Sequence, residues 1–175
     1  MIRRTIAIGL MLVSLGLFAV PQEDQKRAPS TPEERKRFVT LVHKLEKTPL
    51  DQNLNSEAAW ALQWLQDVPD VNVTICFAPL GRFVDERYRY DSRIRGQFVL
   101  GMGAFLIEHP QKTADSGATY VAGVESALKA YKSILKGKPD AKSKTLDELL
   151  TKQDEGDLTD YVRDAGQVCE DTNQA

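Results

Sequence analysis

The side chains able to carry reaction chemistry are few and scattered. The two histidines, His43 and His109, stand 66 residues apart, and neither belongs to a recognisable motif. An activated nucleophile needs a base within hydrogen-bond reach, and a zinc site needs ligands at short, repeated spacings. Cys76 and Cys169 with two distant histidines provide neither, and the chain has no G-x-S-x-G, H-E-x-x-H or glycine-rich phosphate loop. The acidic run Asp154-Glu155-Gly156-Asp157 invites a calcium reading. With Gly156 as the sixth loop residue, however, Thr151, Gln153 and Glu155 fall where the loop requires Asp or Asn. The run therefore reads as a solvated helix break with a glycine cap. No catalytic residue, metal or cofactor is expected.

Recognition chemistry is denser. Between Arg82 and Arg95 lie Arg82, Arg87, Arg89, Arg93 and Arg95, interleaved with Phe83, Tyr88 and Tyr90 and set against Asp85, Glu86 and Asp91. Arginine forks and tyrosine rings give area and directed hydrogen bonds at modest entropic cost, which suits a binding face. Arg82, Arg87, Tyr88, Arg89, Tyr90, Arg93 and Arg95 are accordingly the candidate surface for a protein or an anionic ligand. The competing reading, and the favoured one, is a set of local arginine–carboxylate pairs solvating a turn.

Two cysteines in a chain that leaves the cytoplasm form a disulfide more often than two free thiols, so a Cys76–Cys169 bond is expected. The N-terminus supports export. Met1-Ile2-Arg3-Arg4 is a short basic head, and Ile6 to Val20 is apolar apart from Gly9, Ser14 and Gly16. That core is shorter than the ~20 residues of a membrane span and suits a signal peptide over residues 1–20, with an uncleaved anchor as the alternative. Leu17-Phe18-Ala19 meets only half of the small-residue cleavage rule. The Arg3-Arg4 pair hints at twin-arginine export, but its flanks match that signal poorly. The formal charge is −2; losing Arg3 and Arg4 leaves 21 basic against 25 acidic residues, or −4. A nucleic-acid binder should be basic, so that class is set aside. No membrane contact is expected beyond the leader, and the protein should be periplasmic or extracellular.

Stepping along the body, residues 21–30 read as a flexible linker and residues 31–175 as one helical domain. Thr31 caps a helix with Pro32 at its first position and Glu34 completing a capping box. Phe38, Leu41, Val42 and Leu45 then form one apolar stripe, and Thr48-Pro49 ends it. A second helix runs from Asn55-Ser56 through Trp60, Leu62, Trp64 and Leu65 to a stop at Pro69. Val71, Val73, Ile75 and Phe77 alternate with polar residues, as in a strand, yet no second segment offers to pair. An extended link, or a helix start pinned by the disulfide, is preferred there. A short helix over 80–86 and a turn at Tyr88-Arg89-Tyr90 follow. Two longer helices are expected over 92–108, capped by Asp91 or Ser92, and from 115 or 116 to 136, stopped at Gly137. Their broad apolar arcs mark them as the central pair. Gly101, Gly103 and Ala104 on one, with Gly123 and Ala127 on the other, would let the axes approach closely. A helix through Leu146 and Leu149, a break at Gly156 and a short last helix through Leu158 and Val162 complete an all-α orthogonal bundle of six or seven helices.

Ala127, Tyr131, Ile134 and Pro139 resemble the second helix of a tetratricopeptide repeat over about 13 residues. The preceding helix lacks the repeat's Trp, Leu-Gly and Tyr positions and no 34-residue period recurs, so this is one amphipathic helix with a proline stop. The layout of leader, helical body and disulfide is similar to that of small periplasmic immunity proteins that neutralise cell-wall-degrading effectors. That likeness implies one tight macromolecular partner and transfers no site residues. The function expected is a non-enzymatic binding or protein-interaction module. An immunity-type inhibitor, an enzyme without visible motifs and a stress chaperone are the alternatives.

Overall fold

A computed structural model describes residues 27–172. The expected leader, and the linker up to residue 26, lie outside the described residues. Six α-helices occur among the described residues: α1 (Pro32–Lys47), α2 (Asn55–Asp67), α3 (Asp91–Glu108), α4 (Ser116–Gly137), α5 (Lys144–Glu155) and α6 (Leu158–Thr172). Short 3-10 segments occur at Gln52–Leu54, Ala78–Asp85 and Pro110–Lys112. No strand occurs among the described residues, and the all-α bundle is as expected.

The caps explain most boundaries. Thr31 accepts from the Glu34 N–H at 3.2 Å while Glu34 accepts from the Thr31 N–H at 2.9 Å, so the capping box at the start of α1 is complete. Asp115 caps α4 through the Ala118 N–H, and Ser143 caps α5 through the Leu146 N–H. Gly156 ends α5 at φ +88°, a backbone state that side-chain-bearing residues avoid. Four expectations need correction. Tyr90, not Asp91 or Ser92, sits at the N-cap of α3 and makes no side-chain cap bond. Asp91 is already helical, and its carboxylate takes the Arg95 Nε–H at 2.7 Å instead. Gly137 lies inside α4, whose cap is Lys138, and α6 is a full 15 residues. The short helix expected over 80–86 is a 3-10 segment kinked at Gly81, φ +60°.

Helices α3 and α4 share the most extensive contact in the molecule, and α3 is buried around most of its circumference. Glycine makes this possible. A Cβ on Gly101 would lie 2.4 Å from the Cβ of Ser126, and one on Gly123 would lie 2.7 Å from Met102 Cγ and 2.9 Å from the Phe98 carbonyl oxygen. Gly103 serves a different contact: its missing Cβ leaves room for Leu65 of α2 and Phe38 of α1. One contiguous apolar core runs from Phe38 of α1 to Val162 and Cys169 of α6.

Residues 72–76 form an irregular link between α2 and the Ala78–Asp85 segment, and no strand pairs with it among the described residues, as the missing partner implied. This link is fastened at both ends. At its start, the Asp70 carboxylate accepts from the Ser30 N–H, the Ser30 hydroxyl and the Arg35 guanidinium, all within 2.9 Å. At its end, Cys76 is bonded to Cys169 of α6, with the two Cα atoms 5.9 Å apart and a sequence separation of 93. In the chain-entropy description, closing so long a loop stabilises by roughly 4–5 kcal/mol.

Candidate functional site

The arginine–tyrosine stretch is divided among several partners. Tyr88 turns inward, where its hydroxyl donates to the Ala141 carbonyl at 3.0 Å and its ring meets Phe83, Tyr90 and Tyr131 edge-on. Burial pushes the Tyr88 phenol up to about 12. Arg89 pairs with Asp140 at 3.3 Å and stacks on Tyr90, which is itself half-buried. Arg93 donates to the Asn55 side chain of α2. Arg95 pairs with Asp91 and lies over the Phe77 ring, 5.2 Å from its centroid. Arg82 and Arg87 are exposed and carry no ion pair among the described residues. Local pairing thus accounts for Arg89 and Arg95, and packing for the tyrosines.

Beside this stretch, Glu86 performs a structural task. Its carboxylate receives the Ser143 hydroxyl at 2.6 Å and both the N–H and hydroxyl of Thr145, fastening the 3-10 segment to the N-terminus of α5. Partial burial opposes ionisation, but the Ser143 and Thr145 donors outweigh it and lower the pKa.

A second polar cluster lies where α1, α3 and α4 meet. Glu46 is 7% exposed. It accepts from the Ser126 hydroxyl at 2.7 Å, has Lys129 Nζ at 3.5 Å and faces His43 Nδ1 at 3.2 Å. Gln97 of α3 closes the set, donating to Ser126 Oγ at 2.8 Å and to the Val42 carbonyl at 3.2 Å. His43 Nε2 reaches Glu108 on α3 at 3.1 Å. Burial disfavours the imidazolium, but hydrogen bonds to Glu108 and Glu46 prevail and raise its pKa. Serine, acid and histidine are all present, yet the order is wrong for nucleophilic catalysis. The Ser126 proton goes to Glu46 rather than to His43, and Ser126 is buried. The cluster ties three helices together. His109 takes no part; its ring packs on Phe105, centroids 4.8 Å apart.

The feature best suited to binding is apolar. The link, α2 and α3 enclose a cavity of about 250 Å³ lined by Leu62, Leu65, Val68, Val71, Val73, Ile75, Phe77 and Val99, with Gln66 and Asn72 adding polar atoms. Ile75 is 52% exposed, and Val168, next to the disulfide on α6, is 61% exposed, standing out among the described large apolar side chains. The alternation of Val71 to Phe77 was legible, but the cavity it borders was not, because it takes shape only when the end of α2 and the link after it fold against Val99 of α3. The peptide groups of residues 72–76 neither donate to nor accept from any described residue.

Among the described residues, no group of His, Cys, Asp and Glu is arranged to hold a metal ion, and no helix is long and apolar enough to cross a membrane. Asp154 to Asp157 form the end of α5 and its Gly156 cap, the helix break expected from the sequence. No protein-family model matches this chain, and no curated protein and no solved structure matches it significantly.

Proposed function

We propose that this protein works outside the cytoplasm as a non-enzymatic binding module, and that the cavity beside the link is where a protein partner docks. The observation carrying this reading is an exposed Ile75 at the mouth of an apolar cavity whose wall is held in place by a disulfide. Binding sites are typically concave, mostly apolar and largely preformed. The disulfide and the basic-then-apolar N-terminus both suit an exported protein. An immunity-type inhibitor of a secreted effector is the concrete alternative within this class.

The docking reading is tested with a phage-displayed library of random twelve-residue peptides, selected on the oxidised protein and on Ile75→Arg. Peptides that bind the first and not the second support it. A selection that yields nothing sensitive to Ile75→Arg removes it. Export is tested separately by the intact mass of the protein from its host, with and without reduction and thiol alkylation. A mass lacking about the first twenty residues, with alkylation only after reduction, is expected. A full-length chain with two reactive thiols would overturn the compartment.

A second reading keeps the Arg82–Arg95 surface, because Arg82 and Arg87 remain exposed without ion-pair partners among the described residues. It predicts that Arg87→Glu with Arg89→Glu weakens capture of an acidic partner in a correctly folded protein.

A further inference from the structure

We propose that two copies of this chain pair antiparallel through the exposed face of α5, the basic end of each against the acidic end of the other. The proposal uses neither the groove nor Arg87 and Arg89, so it stands or falls apart from both readings above. Helix α5 has two faces. Thr145, Leu146 and Leu149 are buried against the rest of the molecule, while Lys144, Glu148, Thr151 and Glu155 form an outer stripe and are all exposed.

Charge is sorted along this face. At its start stand Lys138, Lys142 and Lys144, all exposed, and Arg82 lines the same depression as Lys144. The acids nearest them are engaged: Asp140 with Arg89 at 3.3 Å, Glu86 with Ser143 and Thr145, and Glu148 loosely with Lys144 at 3.9 Å; Asp85 stays exposed. At the other end Asp154, Glu155, Asp157 and Asp160 are exposed and make no ion pair among the described residues. The bases nearest to them are engaged elsewhere, Lys152 over the Tyr161 ring and Arg163 with Asp115. The protein's small net charge of −2 conceals this separation.

The 12 residues of α5 span roughly 18 Å, about twice the ~8 Å screening length at physiological salt. One molecule therefore cannot join its own two ends, and each end meets an approaching surface as a separate charge. A two-fold interface sets residue i against j and j against i, which suits a face that is basic at one end and acidic at the other. Paired antiparallel about the middle of α5, Lys144 comes level with Glu155 of the second copy, and Glu148 comes level with the uncharged Thr151. Lys142 and Asp157 continue the pattern beyond the helix ends. A parallel pair would oppose lysine to lysine and glutamate to glutamate, so charge alone fixes the orientation. The stripe carries no apolar side chain, which makes the pair weak and sensitive to salt.

Sedimentation velocity of the unaltered protein over a range of concentrations tests this first. It is run at about 0.01 M and about 1 M salt, where charges are screened over roughly 30 Å and 3 Å. A monomer–dimer equilibrium at low salt, weaker by about tenfold or more at high salt, is expected. Lys142→Glu with Lys144→Glu, and separately Asp154→Lys with Glu155→Lys, should each abolish the dimer. An equimolar mixture of those two variants should restore it, which also shows that both fold. Lys36→Glu with Lys44→Glu, on exposed positions of α1, changes the net charge as much as the first variant and should leave the dimer intact. A protein that stays monomeric at low salt would overturn the proposal, as would growth beyond a dimer, a mixture that stays monomeric, or equal loss in the α1 variant. A dimer that persists at high salt and that Ile75→Arg dissociates would place the contact at the groove and overturn pairing through α5.

Discussion

The seam between α3 and α4 and the groove beside the link are opposite solutions to the same problem of covering backbone and side chains. In the seam, the helices touch through Gly101 and Gly123, and the polar groups that enter it, Glu46, Gln97 and Ser126, satisfy one another. Nothing can be added there without displacing something. Along the groove, an irregular link leaves its peptide groups without protein partners among the described residues, an isoleucine faces solvent and a cavity stays open. Close packing leaves no room for a ligand, whereas incomplete packing on a fastened frame leaves a place for one. Stability and recognition are therefore expected to respond to different substitutions.

The largest effect should come from the seam. Gly123→Ala places a methyl 2.9 Å from the Phe98 carbonyl oxygen, a backbone atom that cannot swing aside. A loss of about 3 kcal/mol is expected, read as a melting temperature lower by roughly 6–12 °C. A change within experimental error would mean that the helices can part there, and the contrast would fail. Next is Glu46→Ala, which strands the buried Ser126 hydroxyl and should cost about 2 kcal/mol; Glu46→Gln, keeping an acceptor, should cost clearly less.

Smaller effects should track pH. Ser30 and Arg35 donate to Asp70, and although desolvation opposes them they bring its pKa down to about 2. A lowered carboxylate stabilises above its unfolded pKa near 4, and this is lost as pH falls toward 2. Asp70→Asn should therefore cost about 1 kcal/mol at neutral pH, solvent screening included, with the difference shrinking as pH falls through 2. Chemical denaturation across that range measures it. His43 has the opposite sign. Its raised pKa stabilises fully below the unfolded value of about 6.5, and the benefit disappears as pH rises through the folded value. Being half-exposed, it should contribute only about 0.5 kcal/mol, visible as a gap between wild type and His43→Gln at pH 5.5 that closes by pH 9. The smallest effect should be that of Ile75→Arg: stability within about 0.5 kcal/mol of wild type, while peptide capture is abolished. A large loss of stability there would show the groove to be part of the core.

What could be read from the residues follows from the range of the forces involved. The start of α1, the stop of α5 at Gly156 and the stripe of Phe38, Leu41, Val42 and Leu45 depend on neighbours a few positions away, and they were legible. The disulfide was legible because only two cysteines exist. The buried cluster left a partial trace. Glu46, Gln97 and Ser126 each stand three or four residues from apolar stripe positions, which marks them as polar groups in the core. Their partners are 29 to 80 residues away, however, and no local rule joins them. The N-cap of α3 misled because Asp91 pairs with Arg95 one helical turn later instead of capping. The groove left no trace beyond the alternation of its rim.

The disulfide also partitions the chain. Everything from Phe77 to Val168, including α3, α4 and α5, lies inside one covalent ring, whereas α1 and α2 hang outside it. A protease cut within the ring opens it without separating the fragments. A single cut between Val71 and Ile75 leaves α1 and α2 attached by packing alone. A nick in the stretch beside the groove would therefore free α1 and α2 together from the ring, and a bound partner would shield it.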